Sequence, residues 1–316
     1  MKKGKNIMKF ILFVSILAFI LLVLSKGFSA KEISGVASEQ ENSIDYFVLG
    51  DSEAYTSISP MEVWKEKGYT GFNLGSSAQT LQRGVDVFEK ALANQKPRVV
   101  LIETNFLFRN KGFINDAENL VSTLFTNHFS VFNDHTNWKK MVAEGKFLSF
   151  ENPKLLPNPL KGYKYRGSVK PYTLGEYVKT TQNRKEIPPH QKIFIDRIIS
   201  LCEENNIQVI FYSVPSPVNW NYAMHNTVTD LAAEYKASYV DLNLLTKQLE
   251  IDWQNDTYDA GDHLNYNGTL KVTRYMAEYL DKDTLLNDRR KTELASAWND
   301  EYNRYVEIIG TKQETQ

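Results

Sequence analysis

The chain has 316 residues, of which 42% are hydrophobic and 12% aromatic, which excludes a disordered chain and allows one large folded domain. Its 37 basic and 38 acidic residues leave a formal net charge of −1. Because no basic stripe that could neutralise phosphates is present, we expect no nucleic-acid partner. The single cysteine, Cys202, rules out a disulfide within the chain, and its place on an apolar helical stripe predicts that it packs in the core.

The N-terminus predicts a membrane segment. Lysines without any acid occupy residues 1–9, and the apolar run FILFVSILAFILLVL follows, a pattern typical of a secretory signal or a signal anchor. Phe28 stands where a small residue would precede cleavage at Ala30. We therefore expect a retained anchor over residues 1–30, with a cytoplasmic N-terminus and an extracytoplasmic remainder. A cleaved signal, which would give a secreted protein, is the alternative.

After a polar linker over residues 31–44, short apolar strands alternate with helices. The predicted strands are 46–49, 71–74, 99–103, 208–213 and 238–242, and the predicted helices include 80–93, 190–205, 222–236 and 266–280. A capping box from Ser59 to Glu62 opens a further short helix, which Gly68 ends. This rhythm predicts an α/β fold, a five-stranded parallel sheet with helices on both faces.

The rhythm breaks between about residues 108 and 189, a stretch rich in aromatic residues, Asn, Pro and Lys that is too long for an ordinary loop. We interpret it as an insertion between the third and fourth strands that forms a cap or a substrate-binding subdomain. The main domain then spans residues 45–283. The tail, 284–316, places Leu294, Trp298, Tyr302 and Tyr305 at helical spacings and predicts one more packed helix.

Polar residues follow the strands at one edge of the predicted sheet, which is where ligand sites lie in open α/β sheets. They are Ser52 after the first strand, Gly75 after the second, Asn105 after the third, and Asp259, Asp262 and His263 after the fifth. A serine hydroxyl becomes a nucleophile when an imidazole held by a carboxylate takes its proton. We therefore expect Ser52 as nucleophile and His263 as base, with an oxyanion hole formed by the backbone N–H groups of Ser52 and Gly75 and the Asn105 amide.

These residues resemble the four blocks of the SGNH/GDSL hydrolases, in the same order along the chain. The blocks are GDS at Ser52, NLGSS at Gly75, Asn105, and a late His263 followed by LNYNG, within residues 45–280. The resemblance implies a flavodoxin-like three-layer fold and Ser-His-Asp acyl-enzyme chemistry without a cofactor or a metal.

The segment VLGDSEAYTSISPMEVWKEKGYTGFNLGSSAQT is similar to exported, membrane-anchored members of this superfamily that act beside membrane-bound O-acyltransferases. Such proteins take part in alginate O-acetylation and teichoic-acid D-alanylation. The similarity implies a cell-surface polysaccharide substrate and a membrane O-acyltransferase as a partner.

Two positions depart from the family pattern. The family has Asp three residues before its histidine, whereas Ala260 stands there; Asp259 lies four residues before His263 and Asp262 immediately before it. We favour Asp259, which one inserted residue would bring into place, and keep Asp262 as the alternative. The third block is commonly Gly-x-Asn but here begins with Glu103, which leaves the geometry of the oxyanion hole open.

Other polar and aromatic residues are weaker candidates, and the substrate-binding residues stay undetermined. We expect Glu53 to be a solvated or helix N-terminal acid and Arg109 to form a surface ion pair. His128 and His135 are candidates for a sugar site, whereas His190 and His225 are expected to be structural. Aromatic residues that could stack on sugars, with core packing as the default, are Tyr163, Tyr165, Trp220 and Tyr222.

Together these patterns predict an extracytoplasmic serine O-acyltransferase or esterase, with acetyl as the expected acyl group, acting on cell-surface polysaccharide. The alternative from a different class is a non-catalytic polysaccharide-binding protein or scaffold for a membrane O-acyltransferase. A lipase-like esterase is a third possibility, although the Asn-, Lys- and Tyr-rich insertion argues against the apolar cap that it would need.

Overall fold

The computed structural model describes residues 2–27, 32–33, 35–109, 112 and 154–315. The chain divides into two compact units, one comprising residues 1–34 and 112–156, the other residues 35–111 and 157–316. The first unit contains helix α1 (Lys2–Gly27) and a parallel pairing of Glu32–Ile33 with Lys154–Leu155. Within α1, the 20 residues Asn6–Ser25 are long and apolar enough to cross a membrane, and a signal sequence would have the same character.

The second unit is built on a five-stranded parallel sheet. Its strands are β1 (Tyr46–Leu49), β2 (Gly71–Asn73), β3 (Val99–Glu103), β4 (Gln208–Ser213) and β5 (Ser238–Asp241). They lie in the order β2-β1-β3-β4-β5, and every neighbouring pair is parallel. This is the flavodoxin-like order, in which the crevice for a ligand opens beside β1 and β3. The predicted fold class is confirmed, and β2 and β5 each end one residue earlier than expected.

Seven helices of the described part flank the sheet. They are α2 (Ser52–Ser57), α3 (Pro60–Lys67), α4 (Leu81–Leu92), α5 (Pro189–Glu204), α6 (Tyr222–Glu234), α7 (Tyr266–Asp283) and α8 (Ala295–Glu314). The last of these is the helix predicted in the C-terminal tail, with Trp298 and Tyr305 buried.

Alternate residues of each strand enter two separate apolar layers because side chains in a strand point to opposite faces. Phe47 and Leu49 pack in one layer, together with apolar residues of α4, α5, α6 and α8. Tyr46 and Val48 pack in the other layer, together with Val272 and other apolar residues of α7. The sheet is therefore covered on both faces, as a fully buried parallel sheet requires.

The capping box predicted at the start of α3 is wrong, although the helix itself begins and ends as expected. The Ser59 side chain makes no capping bond, and its hydroxyl instead donates to the Tyr305 hydroxyl at 3.2 Å. Glu62 accepts from Tyr305 at 3.0 Å rather than turning back to the helix start. Both side chains therefore bind Tyr305 of α8 instead of capping the helix. A local sequence pattern cannot show such a contact with a distant helix. Gly68 ends α3 with φ 72, as a left-handed C-cap.

The described C-terminal part of the predicted insertion, residues 157–188, crosses the carboxyl edge of the sheet without helix or strand; we call it the strap. Its Lys164 N–H donates to the carbonyl of Tyr55 on α2 at 2.9 Å. Lys170 pairs with the loop that carries His263, donating to Thr257 O at 3.0 Å and accepting from Ala260 N–H at 2.9 Å. The strap therefore joins two segments that carry candidate site residues. The bounds of the insertion stay a prediction.

Candidate active site

Ser52 lies at the first turn of α2, directly after β1. Asp51 caps this helix, since its Oδ1 accepts the N–H of Glu53 at 3.0 Å. The strand-to-helix turn therefore places the Ser52 hydroxyl at the carboxyl edge of the sheet. The Ser52 N–H belongs to the first turn of the helix, where no carbonyl of the helix can accept it, so it is suited to bind an oxyanion.

Ser52, His263 and Asp259 form a continuous hydrogen-bonded chain. His263 Nε2 lies 2.7 Å from Ser52 Oγ, and His263 Nδ1 lies 2.7 Å from Asp259 Oδ2. The other carboxylate oxygen of Asp259 accepts the His263 N–H at 2.6 Å. Asp259 thus holds both the backbone and the ring of His263, in the geometry that a serine–histidine–acid triad requires.

A left-handed turn explains how an acid four residues before the histidine reaches its ring. Ala260 and Gly261 have φ values of 64 and 93, so the loop coils back on itself between Asp259 and His263. The turn accommodates the one additional residue that lies between Asp259 and His263, compared with the Asp-x-x-His pattern that the sequence resembles. Ala260, which has a Cβ, accepts a backbone conformation that L-residues rarely adopt.

Asp262, the alternative acid, hydrogen-bonds to Asn219. Its Oδ1 lies 3.4 Å from His263 Nδ1 but accepts a short hydrogen bond from Asn219 Nδ2. The same Asn219 amide donates to Glu53 Oε1 at 2.7 Å. Asn219 therefore links Glu53, beside Ser52, to Asp262, beside His263. The sequence did not indicate this connection because Asn219 lies in the β4–α6 loop.

Glu53 lies in the first turn of α2, as one of the two expectations for it stated, but it is buried rather than solvated. Only 1% of it is exposed. Burial, followed by the negative charge of Glu103, raises the pKa of the Glu53 carboxyl well above its usual value. Burial and the charge of Asp51 likewise raise the pKa of Glu103. Two buried carboxyl groups that favour the protonated form therefore lie close to the nucleophile.

Arg109 forms an ion pair, as expected, but its partner is not on the surface. Its Nε donates to Asp51 Oδ2 at 2.8 Å, and Asp51 is fully buried. The positive charge of Arg109 therefore offsets the cost of burying the Asp51 carboxylate.

The predicted oxyanion donors Gly75 and Asn105 both have protein partners. Asn105 Nδ2 donates to Asp51 Oδ2 at 3.3 Å, which uses one of its two amide hydrogens. The Gly75 N–H donates to Asn73 Oδ1 at 3.0 Å, and Asn73 is itself anchored to the carbonyl of Ala54 at 2.8 Å. Among the described residues, the second amide hydrogen of Asn105 has no partner and could bind an oxyanion, whereas the Gly75 N–H would first have to leave Asn73.

The remaining candidates are placed in structural roles or lie outside the described residues. Tyr163, Tyr165 and Trp220 are buried, so their rings cannot present a face to a sugar, and Tyr222 packs edge-on against Trp220. His225 Nδ1 lies 2.7 Å from Asp241. Cys202 is buried in α5, as predicted. His128 and His135 lie outside the described residues.

One group of side chains in the site could geometrically hold a metal ion. Ligand atoms of Glu53, Asp262 and His263 lie within 4.8 Å of one another. Hydrogen bonds to Asn219 and Asp259 already account for this proximity, and a protonated Glu53 would be a poor ligand because metals bind the deprotonated form. The donor set therefore fits a hydrogen-bonded network better than a metal centre.

Solved structures with likeness to this chain include acylhydrolases. A lipase/acylhydrolase from Enterococcus faecalis is 12% identical, covering 78% of this chain and 98% of that chain, with a TM-score of 0.41. A GDSL-like lipase from Bacteroides thetaiotaomicron is 14% identical, covering 75% and 87%, with a TM-score of 0.36. An acetyl xylan esterase, AlAXEase, is 14% identical, covering 75% and 100%, with a TM-score of 0.39.

No protein-family model matches the sequence, and no curated protein matches it significantly. At these identities and TM-scores the superpositions are loose. The fold class therefore rests on the strand order of the chain itself, and any assignment of activity rests on the geometry of its site.

Proposed function

We propose that this chain is a serine acyl-transfer enzyme of the SGNH type, with Ser52 as nucleophile, His263 as base and Asp259 as the acid that orients it. The observation that carries the proposal is the hydrogen-bonded chain from Ser52 Oγ through both nitrogens of His263 to Asp259. A buried serine–histidine contact could be structural, but Asp259 also fixes the ring in one tautomer, which a packing role would not require.

In the proposed reaction, Ser52 Oγ attacks the carbonyl carbon of an acyl ester while His263 Nε2 takes its proton. The Ser52 N–H and the second amide hydrogen of Asn105 stabilise the oxyanion, each such donor contributing about 3 kcal/mol. The ester C–O bond then breaks, and the leaving alcohol takes the proton from His263. Water or an acceptor hydroxyl attacks the acyl-serine in the second half-reaction, which releases Ser52 unchanged.

We further propose that the acyl group is short, with acetyl first, and that the substrate is a polysaccharide outside the cell. A small cavity lined by Asn105, Glu53 and Trp220 has room for about one water-sized group, which supports a short acyl chain. The apolar helix α1 behind its lysine-rich start supports an anchored, extracytoplasmic domain. A membrane-bound O-acyltransferase as partner is supported by the sequence resemblance alone.

The test compares the full-length chain in detergent with Ser52→Ala and His263→Ala. We expect covalent labelling of wild type by a fluorophosphonate, with fluoride leaving as the Ser52 Oγ–P bond forms, and hydrolysis of para-nitrophenyl acetate. Both variants should lose labelling and turnover. Added oligosaccharide that becomes acetylated would identify a transferase. If wild type is neither labelled nor active above Ser52→Ala, the enzymatic proposal is wrong and a binding or scaffold role is favoured.

A further inference from the structure

A tyrosine ring lies flat against the imidazole of the candidate base. The rings of Tyr258 and His263 are stacked, with centroids 5.5 Å apart and planes inclined by 22°. His263 is already held at both nitrogens, by Ser52 and by Asp259. Both bonds are made in the plane of the ring, so neither of them contacts the face of the imidazole. The Tyr258 ring packs on that face and restricts tilting of the imidazole out of its plane.

Tyr258 is in turn held by an arginine of the strap. The Arg166 guanidinium carbon lies 5.4 Å from the centre of the Tyr258 ring, a distance at which a cation is attracted to the ring face. Its Nη1 donates to the carbonyl of Tyr165 at 3.4 Å, and, although burial opposes the rise, interactions with the Tyr258 and Tyr55 phenols raise the pKa of the Arg166 guanidinium. Its carbonyl accepts the N–H of Tyr266 at 2.7 Å, so both the backbone and the side chain of Arg166 are fixed.

The Arg166 contacts connect the two halves of the triad. Tyr55 belongs to α2, the helix that carries Ser52, and is 4% exposed. Tyr258 belongs to the loop that carries His263. Ser52 and His263 are far apart in sequence, so their 2.7 Å contact depends on how accurately the helix and the loop are held together. The planar guanidinium of an arginine is suited to pack on an aromatic ring, as Arg166 does on Tyr258, and so to hold the loop against the strap.

We propose that Tyr258 and Arg166 are positioning residues for acyl transfer: Tyr258 sets the plane of the His263 ring, and Arg166 holds Tyr258 and the Ser52 helix in register. The proposal rests on the proposed function, because it assigns these residues to the same reaction. A displacement of about 1 Å at reacting groups can lower a rate about a hundredfold. The effect of losing the stack is therefore expected on kcat, since the stack contacts the His263 ring that transfers the proton.

The test measures kcat and KM for para-nitrophenyl acetate in the full-length chain in detergent. Tyr258→Ala should lower kcat at least tenfold with KM changed by less than twofold, whereas Tyr258→Phe, which keeps the ring, should retain kcat within about threefold. Arg166→Ala should lower kcat in the same way, with partial recovery in Arg166→Lys. Lys192→Ala is the matched control and should leave kcat unchanged, because Lys192 belongs to α5 and its ammonium lies 4.8 Å from the centre of the Tyr235 ring.

A spectroscopic readout keeps the proposal testable apart from turnover. The far-downfield proton NMR signal of a histidine Nδ1–H bonded to a carboxylate should be sharp in wild type and Tyr258→Phe, and broadened or lost in Tyr258→Ala. Unchanged kcat and an unchanged signal in Tyr258→Ala would overturn the positioning role. A Tyr258→Phe variant as impaired as Tyr258→Ala would do so too, because the hydroxyl would then matter rather than the stack. Failure of the proposed function differs: wild type itself would lack Ser52-dependent labelling.

Discussion

At the scale of single residues, the two acids beside His263 can be distinguished by their bonds. Asp259 contacts the imidazole at 2.7 Å and also accepts the His263 N–H, whereas Asp262 is bound by Asn219. We expect Asp259→Asn to lower kcat for para-nitrophenyl acetate by about a thousandfold or more, because an amide can no longer fix the tautomer and stabilise an imidazolium. Asp262→Asn, the matched control, should change kcat less than about tenfold. The opposite order would make Asp262 the triad acid.

Glu53 gives a prediction about stability and pH. Burial raises its pKa in the folded state above the ordinary value of 4.5. The unfolded chain therefore releases this proton at lower pH than the folded chain does, so the contribution of Glu53 is fully present below about pH 4.5 and is lost as pH rises through the folded pKa. Glu53→Gln, which keeps the acceptor for Asn219, should become more stable relative to wild type as pH increases from 5 to 9. A pH-independent difference in denaturant midpoint would contradict this.

Part of the site follows from sequence order alone. Ser52 and His263 could be predicted because each follows a strand, and parallel strands end at the same edge of a sheet. Asn219 and Tyr258 could not be predicted as site residues. Each lies in a loop, and its contacts with Glu53 or His263 form only when the chain folds. The hydrogen bond from the Gly75 N–H to the Asn73 side chain could not be predicted either, although Asn73 ends β2 and belongs to the NLGSS block.

At the scale of elements, all five strands were predictable because short apolar runs between helical patterns indicate buried parallel strands. Helix α5 was predictable in the same way, from its apolar stripe. The strap was not, since residues 157–188 follow neither a helical nor a strand period and are held by backbone bonds to distant loops. Local patterns therefore identified the regular layers but not the segment that joins α2 to the loop of His263.

Helix α5 yields a prediction about its cysteine. Cys202 is 1% exposed, and burial raises the pKa of its thiol to about 12. Because the thiolate is the reactive form, Ellman's reagent should not modify the native protein at pH 8. One thiol per chain should react once the protein is unfolded in guanidinium chloride. Rapid modification of the native chain would show that α5 does not pack as described.

At the scale of the second unit, a buried lysine joins segments from distant parts of the sequence. Lys161 of the strap is fully buried and pairs with Glu39 at 2.6 Å and with Glu301 of α8. Its ammonium also lies 4.6 Å from the centre of the Trp298 ring. Burial raises the pKa of Glu39, and Lys161 opposes this rise. The lysine therefore stabilises two acids that would otherwise be costly to bury.

Removing this cation should destabilise the fold. We expect Lys161→Ala to lower the free energy of unfolding by about 3 kcal/mol, since the Glu39 side chain, which is 7% exposed, and the partly buried Glu301 would lose their partner. Arg184→Ala is the control: Arg184 pairs with Asp230 at 2.7 Å, but both side chains are more than half exposed, and exposed pairs contribute little. Urea unfolding of both variants measures the difference. Similar midpoints for the two would show that the Lys161 pairs do not support the fold.

The contact between Ser52 and His263 spans 211 residues of sequence. Contacts this distant form only after the intervening chain has collapsed, because the entropy of closing so long a loop must be offset by other native contacts. A growing chain would therefore carry its serine long before its base, and the hydroxyl would stay unreactive until residues up to 263 had been made and folded. Under the proposed function, activity would thus appear only after His263 has been synthesised and has folded against the helix of Ser52.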